Sequence, residues 1–331
     1  MKYYCKAPFV SASVWPGNSI APCCLWEGPG WNTVDNMKHE LSNQFSNGDI
    51  PAPCQGCTYR HEFNKYDEKC GLQMLDIRND NLCNLRCRSC TPTWSSRIAQ
   101  EENIYPVRNF LSLDLDQINW DNVSSIYLCG GEPFISHQHR EILSKIKHPE
   151  KIKLHYNTNC TILTHQGIYI PDLWKPFKEV IINASIDAVG EYAEVVRSGC
   201  KWAEVDAVLT ELEQLASHHA IHLNVVPYVS ALNIWWMDSW LKRFDSWDPS
   251  RIQPIISDQH DFIGLSIIPK KFRVELIELL CNSKFSQQFS KAIYMLINHD
   301  NTKEWDNFLF RQRQIDSNRS ESWVSKIALL R

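Results

Sequence analysis

From residue 72 onward, short apolar runs of strand length alternate with helical stretches, and this alternation limits the possible folds more than any other feature of the chain. The strand candidates are LQMLDIR (72–78), SSIYLC (124–129), KIKLHYN (151–157), EVIINASID (179–187), IHLNVVPYVS (221–230) and a weaker RIQPIIS (251–257). Between the fourth and fifth lies KWAEVDAVLTELEQLASHH, in which Val205, Val208, Leu212 and Leu215 recur at helical spacing with polar residues opposite. Six strands alternating with helices predict a parallel sheet joined by right-handed crossovers. That is two units short of an eight-fold barrel, so the expected fold is α/β, an open partial (β/α)6 TIM-like barrel over residues 72–268. Chemistry in such folds gathers at the C-terminal ends of the strands.

The flanks read differently. Residues 1–71 form an irregular, cysteine-rich N-terminal module, rich in Pro and Gly and with little core of its own. Its one clear helix is TVDNMKHELSNQF, with Val34, Met37, Leu41 and Phe45 on one face and Gly48 just past the end. A small module of this kind commonly needs a metal to fold. The tail from 269 to 331 is expected to be helical, with Phe289, Ile293 and Leu296 at helical spacing, followed by Trp305, Phe308 and Phe310.

Composition narrows the function. With 331 residues, 44% hydrophobic and 22% charged, the chain reads as an ordinary soluble globular protein large enough for one big domain and an appendage. No apolar run approaches the ~20 residues of a membrane span, and MKYYCKAPFVSASVWPG lacks the pattern of a signal peptide. The expectation is cytoplasmic, with no membrane. A net charge of −4 disfavours nucleic acid as a partner. Thirteen cysteines, an odd number without a secretion signal, fit metal or redox chemistry better than a disulfide framework. Thirteen tryptophans read as core packing.

The cysteines cluster where ligands would be useful. LDIRNDNLCNLRCRSC puts Cys83, Cys87 and Cys90 directly after the first barrel strand. A [4Fe–4S] cube normally takes four thiolates. Three on a short loop leave one iron open to a chelating amine and carboxylate, as the methionine end of S-adenosylmethionine would offer. A zinc ribbon built from Cys54-x2-Cys57 and Cys87-x2-Cys90 is the alternative, although the gap between the pairs is long and Cys83 is left unused.

A resemblance comes from the residues downstream of the triplet. The second strand ends in Cys129-Gly130-Gly131-Glu132-Pro133. With the three-cysteine loop one unit earlier, the chain resembles the radical S-adenosylmethionine superfamily over most of residues 72–270. The resemblance implies that Gly130, Gly131, Glu132 and Pro133 meet the cofactor's amino group. It implies cofactor contacts for Asn157 in Tyr156-Asn157-Thr158-Asn159 and for Ser185 and Asp187 in Ser185-Ile186-Asp187, where turn and cap chemistry is the alternative. Arg197 falls where relatives hold the cofactor carboxylate, a task suited to a guanidinium fork. Ser89 stands where relatives often have a bulky residue, and Cys160 and Ala188 where they often have glycine.

The N-terminal module resembles the auxiliary-cluster region of SPASM/twitch-type relatives, through Cys5, the turn Pro16-Gly17-Asn18, Pro22-Cys23-Cys24 and Cys54-x2-Cys57. Cys5, Cys23, Cys54 and Cys57 would then hold a second [4Fe–4S] cluster, with a structural zinc as the alternative and Cys24 as the rival of Cys23. The end, FLFRQRQIDSNRSESW, also looks like a twitch-type tail. The implied activity is reductive cleavage of S-adenosylmethionine and hydrogen abstraction from a peptide, protein or small-metabolite substrate, supplied by a reductant such as flavodoxin or ferredoxin. A net oxidation or cross-link is the first expectation. Rivals are a radical epimerase with a cysteine hydrogen donor, for which Cys160 after the third strand is the candidate, and a non-catalytic zinc-stabilised binding protein. Cys129, Cys200 and Cys281 read as small core residues, His137 and His139 as an exposed helix face, and His218-His219 as a helix end.

Overall fold

The computed structural model describes residues 5–15, 19–57, 71–78, 80–104, 118–136, 138–218, 220–257 and 262–327. The Pro16-Gly17-Asn18 turn, Cys70, His137 and His219 lie outside the described residues. Seven strands make the main sheet: β1 (Ser11–Trp15), β2 (Ser19–Ala21), β3 (Met74–Arg78), β4 (Ser125–Cys129), β5 (Lys153–Thr158), β6 (Glu179–Ala184) and β7 (Ile221–Val225). Their order is β7-β6-β5-β4-β3-β1-β2, open at both ends. Every pairing is parallel except the β1–β2 hairpin.

The five strong strand expectations correspond to β3 through β7. The sixth is reduced to a bridge between Val225 and Ile252 and a two-residue parallel ladder of Tyr228–Val229 with Ile255–Ile256. Pro227 and Pro254 explain the interruption, because each removes a ladder donor in mid-strand. The opposite edge holds what the pattern did not predict. Residues 11–15, expected within an irregular module, form β1 and lie parallel to β3 in register Ser11 with Met74 through Val14 with Ile77. The N-terminal segment therefore extends the sheet.

A parallel sheet covered on both faces reads as a nearly continuous apolar run. Here β5 and β6 alternate instead. Leu154, Tyr156, Thr158, Val180, Ile182 and Ala184 are buried, whereas Lys153, His155, Asn157, Glu179, Ile181 and Asn183 between them are half-exposed. One face is thus covered by helices and the other is a polar interior, laced by Lys153–Glu179 at 2.7 Å and Asn224–Asn183 at 3.1 Å. The helix Trp202–His218 covers β7 with Leu209 and Leu212 fully buried, each contributing roughly 1.5–3 kcal/mol. The helix Val34–Ser46 is capped by Thr33, whose hydroxyl accepts from Asn36 N at 3.1 Å, and it buries Met37, Leu41 and Phe45.

The tail is helical as expected: Lys270–Cys281, Ser290–Asn298, Trp305–Arg319 and Trp323–Lys326. Phe289, Leu296, Trp305 and Phe308 are buried, while Phe310 faces solvent. No helix among the described residues is long and apolar enough to cross a membrane.

One expected surface residue is interior. His139 is 3% exposed; its Nε2 lies 2.7 Å from Tyr156 Oη and its ring packs on Phe134. Burial pushes its pKa down from 6.5 to about 4. The unfolded chain therefore binds the extra proton first, so stability is full above pH 6.5 and falls as pH drops toward 4. The expected slope is about 1.4 kcal/mol per pH unit in that window. Compared by urea unfolding across the window, His139→Gln should lose less stability than the wild type as pH falls, the difference growing by about this slope. Identical pH profiles for the two proteins would put its origin elsewhere.

Candidate functional site

The loop after β3 is built by local hydrogen bonding. Asp80 Oδ1 accepts from Leu82 N at 2.9 Å, an Asx turn that reverses the chain. Ser96 Oγ accepts from Cys83 N at 3.1 Å and Ser95 Oγ donates to Leu85 O at 2.8 Å, so the start of the helix Ser96–Glu101 pins the middle of the loop. Arg86–Cys87 then pairs antiparallel with Arg197–Ser198. Cys83, Cys87 and Cys90 emerge from this frame onto one cavity.

That cavity, about 550 Å³, lies at the C-terminal ends of the parallel strands, within the range of a small-molecule or cofactor site. Besides the three thiols it is lined by Arg78, Trp94, Tyr127, Cys129, Gly130, Gly131, Glu132, Asn157, Ser185, Arg197 and Tyr228, among others. Burial raises all three thiols, Cys90 to about 12, while Arg197 pulls Cys87 the other way.

The two glycines allow a close approach of backbone to backbone. A Cβ on Gly130 would lie 2.7 Å from Asp80 O and one on Gly131 2.2 Å from Leu82 O. They let the turn after β4 press against the cysteine loop, where Gly131 N donates to Asp80 O and Glu132 N to Leu82 O. Gly130 also has φ +119°, a conformation that side chains resist. Glu132 is 2% exposed, and its carboxylate accepts from Thr158 Oγ1 at 2.8 Å, Asn159 N at 2.7 Å and Phe134 N at 3.3 Å. It ties the ends of β4 and β5 together, and burial pushes its pKa up to about 7.

Three expected site residues stand behind the lining. Pro133 is buried at the start of a short 3-10 turn. Asp187, 2% exposed, accepts from Arg197 Nε and Tyr228 N, both at 2.9 Å, and so aims the arginine. Cys160 is fully buried, with φ +56° and its thiol 3.9 Å from Thr158 O. It is not among the residues lining the cavity, because the chain turns inward after β5. Cys129, read from sequence as a core residue, lines the cavity instead, and its thiol donates to Asp76 Oδ1 at 3.3 Å. Sequence reasoning also missed Arg78, Trp94, Tyr127 and Tyr228. Strand parity gives a signal for Tyr127, two residues before Cys129 and therefore on the same face.

In the N-terminal segment, burial raises the Cys5 and Cys23 thiols, and electrostatic coupling links Cys5 to Cys57 and Cys23 to both. Cys54 and Cys57 share a turn in which Cys57 N donates to Cys54 O. Cys24, beside Cys23 in the same turn, also acts on Cys23, and burial raises its own thiol, with Asp76 adding to the rise and Arg78 opposing it. Among the described residues no three His, Cys, Asp or Glu side chains are gathered to clasp a single metal ion.

The tail locks the cysteine loop. Arg88, between Cys87 and Ser89, has a fully buried side chain. Its Nε donates to Val195 O at 2.9 Å, Nη1 to Gln312 Oε1 at 3.1 Å, and Nη2 to Asp316 Oδ1 at 2.5 Å and Glu321 Oε2 at 2.6 Å. Arg319 reaches back to Glu101, Arg86 O and Ser198 Oγ.

No family model matches the chain, and no curated protein matches it. Among solved structures, similarity is found to native anSMEcpe with bound AdoMet, at 17% identity over 66% of this chain and 62% of that one, TM-score 0.45. A histidine-tagged anSMEcpe with bound AdoMet gives 18% over 67% and 60%, TM-score 0.45. Native anSMEcpe with bound AdoMet and Cp18Cys peptide gives 16% over 67% and 61%, TM-score 0.43. The chain spans about three fifths of the length of these structures, and likeness at this level carries nothing over about activity.

Removing the guanidinium that holds the loop should be costly. Arg88→Ala leaves Asp316 and Glu321 without their cation and is expected to lower unfolding stability by about 3 kcal/mol. Urea denaturation checks this, and a loss under 1 kcal/mol would mean that the tail does not brace the loop.

Proposed function

We propose that this chain is a radical S-adenosylmethionine enzyme. The observation that carries the reading is one cavity at the strand ends lined by Cys83, Cys87 and Cys90 together with Gly130, Gly131, Glu132, Asn157, Ser185 and Arg197. The donor set fits the group: three soft thiolates suit a [4Fe–4S] cluster with one iron left for a chelating ligand. Cys83, Cys87 and Cys90 would hold the cluster, and thiol protons must leave as they do so. Arg197, with Nε committed to Asp187 and its Nη groups unpaired among the described residues, suits the cofactor carboxylate. The turn Gly130-Gly131-Glu132 suits the ammonium. When bound and reduced by one electron, the cluster and S-adenosylmethionine supply a 5′-deoxyadenosyl radical that abstracts hydrogen from substrate.

Cys5, Cys23, Cys54 and Cys57 would hold a second, closed cluster, supported by the electrostatic coupling of Cys5, Cys23 and Cys57, with Cys24 as the rival of Cys23. With no open iron, such a cluster suits electron transfer, and hence a net oxidation or cross-link of a peptide, protein or small metabolite. A reductant of the flavodoxin or ferredoxin kind would feed it. The cavity favours one variant on this reading. A redox-neutral epimerisation needs a hydrogen-atom donor, and Cys129 lines the cavity whereas Cys160 does not.

Anaerobically reconstituted protein, given a reductant and S-adenosylmethionine, should form 5′-deoxyadenosine and methionine. Changing Cys83, Cys87 and Cys90 together to Ala should abolish this while leaving about four irons on the other four cysteines. Cleavage persisting in that variant rejects the assignment, and stoichiometric zinc without iron rejects the second cluster.

Turnover of an identified substrate in deuterium oxide separates the outcomes. Loss of two hydrogens without deuterium supports oxidation. A product of unchanged composition carrying one solvent deuterium, lost in Cys129→Ala, supports the thiol donor.

A further inference from the structure

Arg78 ends β3 and lines the cavity, yet it has no part in holding the thiols. Its electrostatic neighbours are Cys129, Asp76 and Cys24, whereas Arg197 is the arginine that acts on Cys87. The two arginines therefore serve different parts of one cavity. Arg78 is held firmly. Its guanidinium lies 4.7 Å from the Trp15 ring centroid and 5.3 Å from that of Trp94, rings that touch each other at 5.6 Å. Nε at 3.3 Å and Nη2 at 3.2 Å both donate to Asp76 Oδ2. Asp76 is itself 4% exposed and also accepts from Ser13 Oγ and Cys129 Sγ.

Donation from Nε and Nη2 to one oxygen uses the side of the fork. The end of the fork, with one hydrogen on each Nη, meets no acceptor among the described residues. Because Asp76 is buried, the pair presents its cationic end to the cavity. A planar oxyanion bonded end-on completes such a fork, and Trp94, Tyr127 and Tyr228 in the same lining provide flat apolar walls.

Resting on the radical reading above, we infer that Arg78 anchors a substrate carboxylate, fixing the substrate relative to the thiols. The source of the carboxylate is a small acid or a peptide C-terminus. The test is calorimetric titration of the cluster-reconstituted full chain with two matched pairs: benzoate and benzamide, and N-acetyl-trialanine and its C-terminal amide. The wild-type chain should prefer the acid in at least one pair by roughly tenfold or more, the scale of a charged hydrogen bond, and the pair concerned identifies the source. Arg78→Gln should remove the preference. Should that variant fail to fold by circular dichroism, Arg78→Lys, which keeps the charge and loses the fork, should reduce it. Equal affinity within both pairs, no binding of either acid, or an undiminished preference in the variant overturns the anchor. Cofactor cleavage by the wild-type chain without acid preference rejects this inference alone, and acid preference without cleavage rejects the radical reading alone.

Discussion

The guanidinium of Arg88 is completely buried one residue from Cys87, and it is satisfied by a carbonyl, an amide and two carboxylates. Stranding such a charge is expensive, whereas completing its partners is close to neutral. The arrangement is therefore best understood as a registration device. Of the many ways a cysteine-bearing loop could lie at the end of a strand, one satisfies Arg88. That one also pairs Arg86–Cys87 with Arg197–Ser198 and brings an arginine beside the thiols. The tail, which has no lining residue in the cavity among the described residues, fixes the cavity's shape from behind.

Around this anchor the sheet acts as a frame of converging backbones. Gly130 and Gly131 permit a contact between the turn after β4 and the cysteine loop that any side chain would block. Glu132 continues the chain of contacts to β5, and Asp187 passes it from β6 to Arg197 and to Tyr228 N. Residues whose types suggested ligand contact are thus also the joints between strand ends. Two of them, Pro133 and Asp187, stand behind the described lining of the cavity.

Much of this was legible in the sequence, because period and spacing are local properties. Strands β3 to β7 and the helix Trp202–His218 derive from patterns within a few tens of residues, whereas the convergence of Cys83, Gly131, Asn157 and Arg197 was expected from the resemblance. The parts that were not legible depend on long-range partners. β1 is five residues with no pattern of its own, and its strand character comes from docking on β3. Whether Cys129 or Cys160 faces the cavity turns on a left-handed residue after β5, which alternation cannot anticipate. His139 sits where a surface helix was expected, and only Tyr156, seventeen residues on, draws it inward. Arg78 gains its setting from Trp15 and Trp94, neither of which adjoins it in the chain.

The bracing of Arg88 also sets a timetable for the newborn chain. Its partners Gln312, Asp316 and Glu321 lie 224, 228 and 233 residues downstream. At ordinary rates of synthesis that is a delay of roughly 10–50 s. Throughout this interval the three thiols exist on a loop that has no lock. Metal loaded early would meet an unformed cage, and air would meet unprotected cysteines. The lock on the loop is therefore complete only once Glu321 has been made, so the thiols gain their frame long after the strand that carries them.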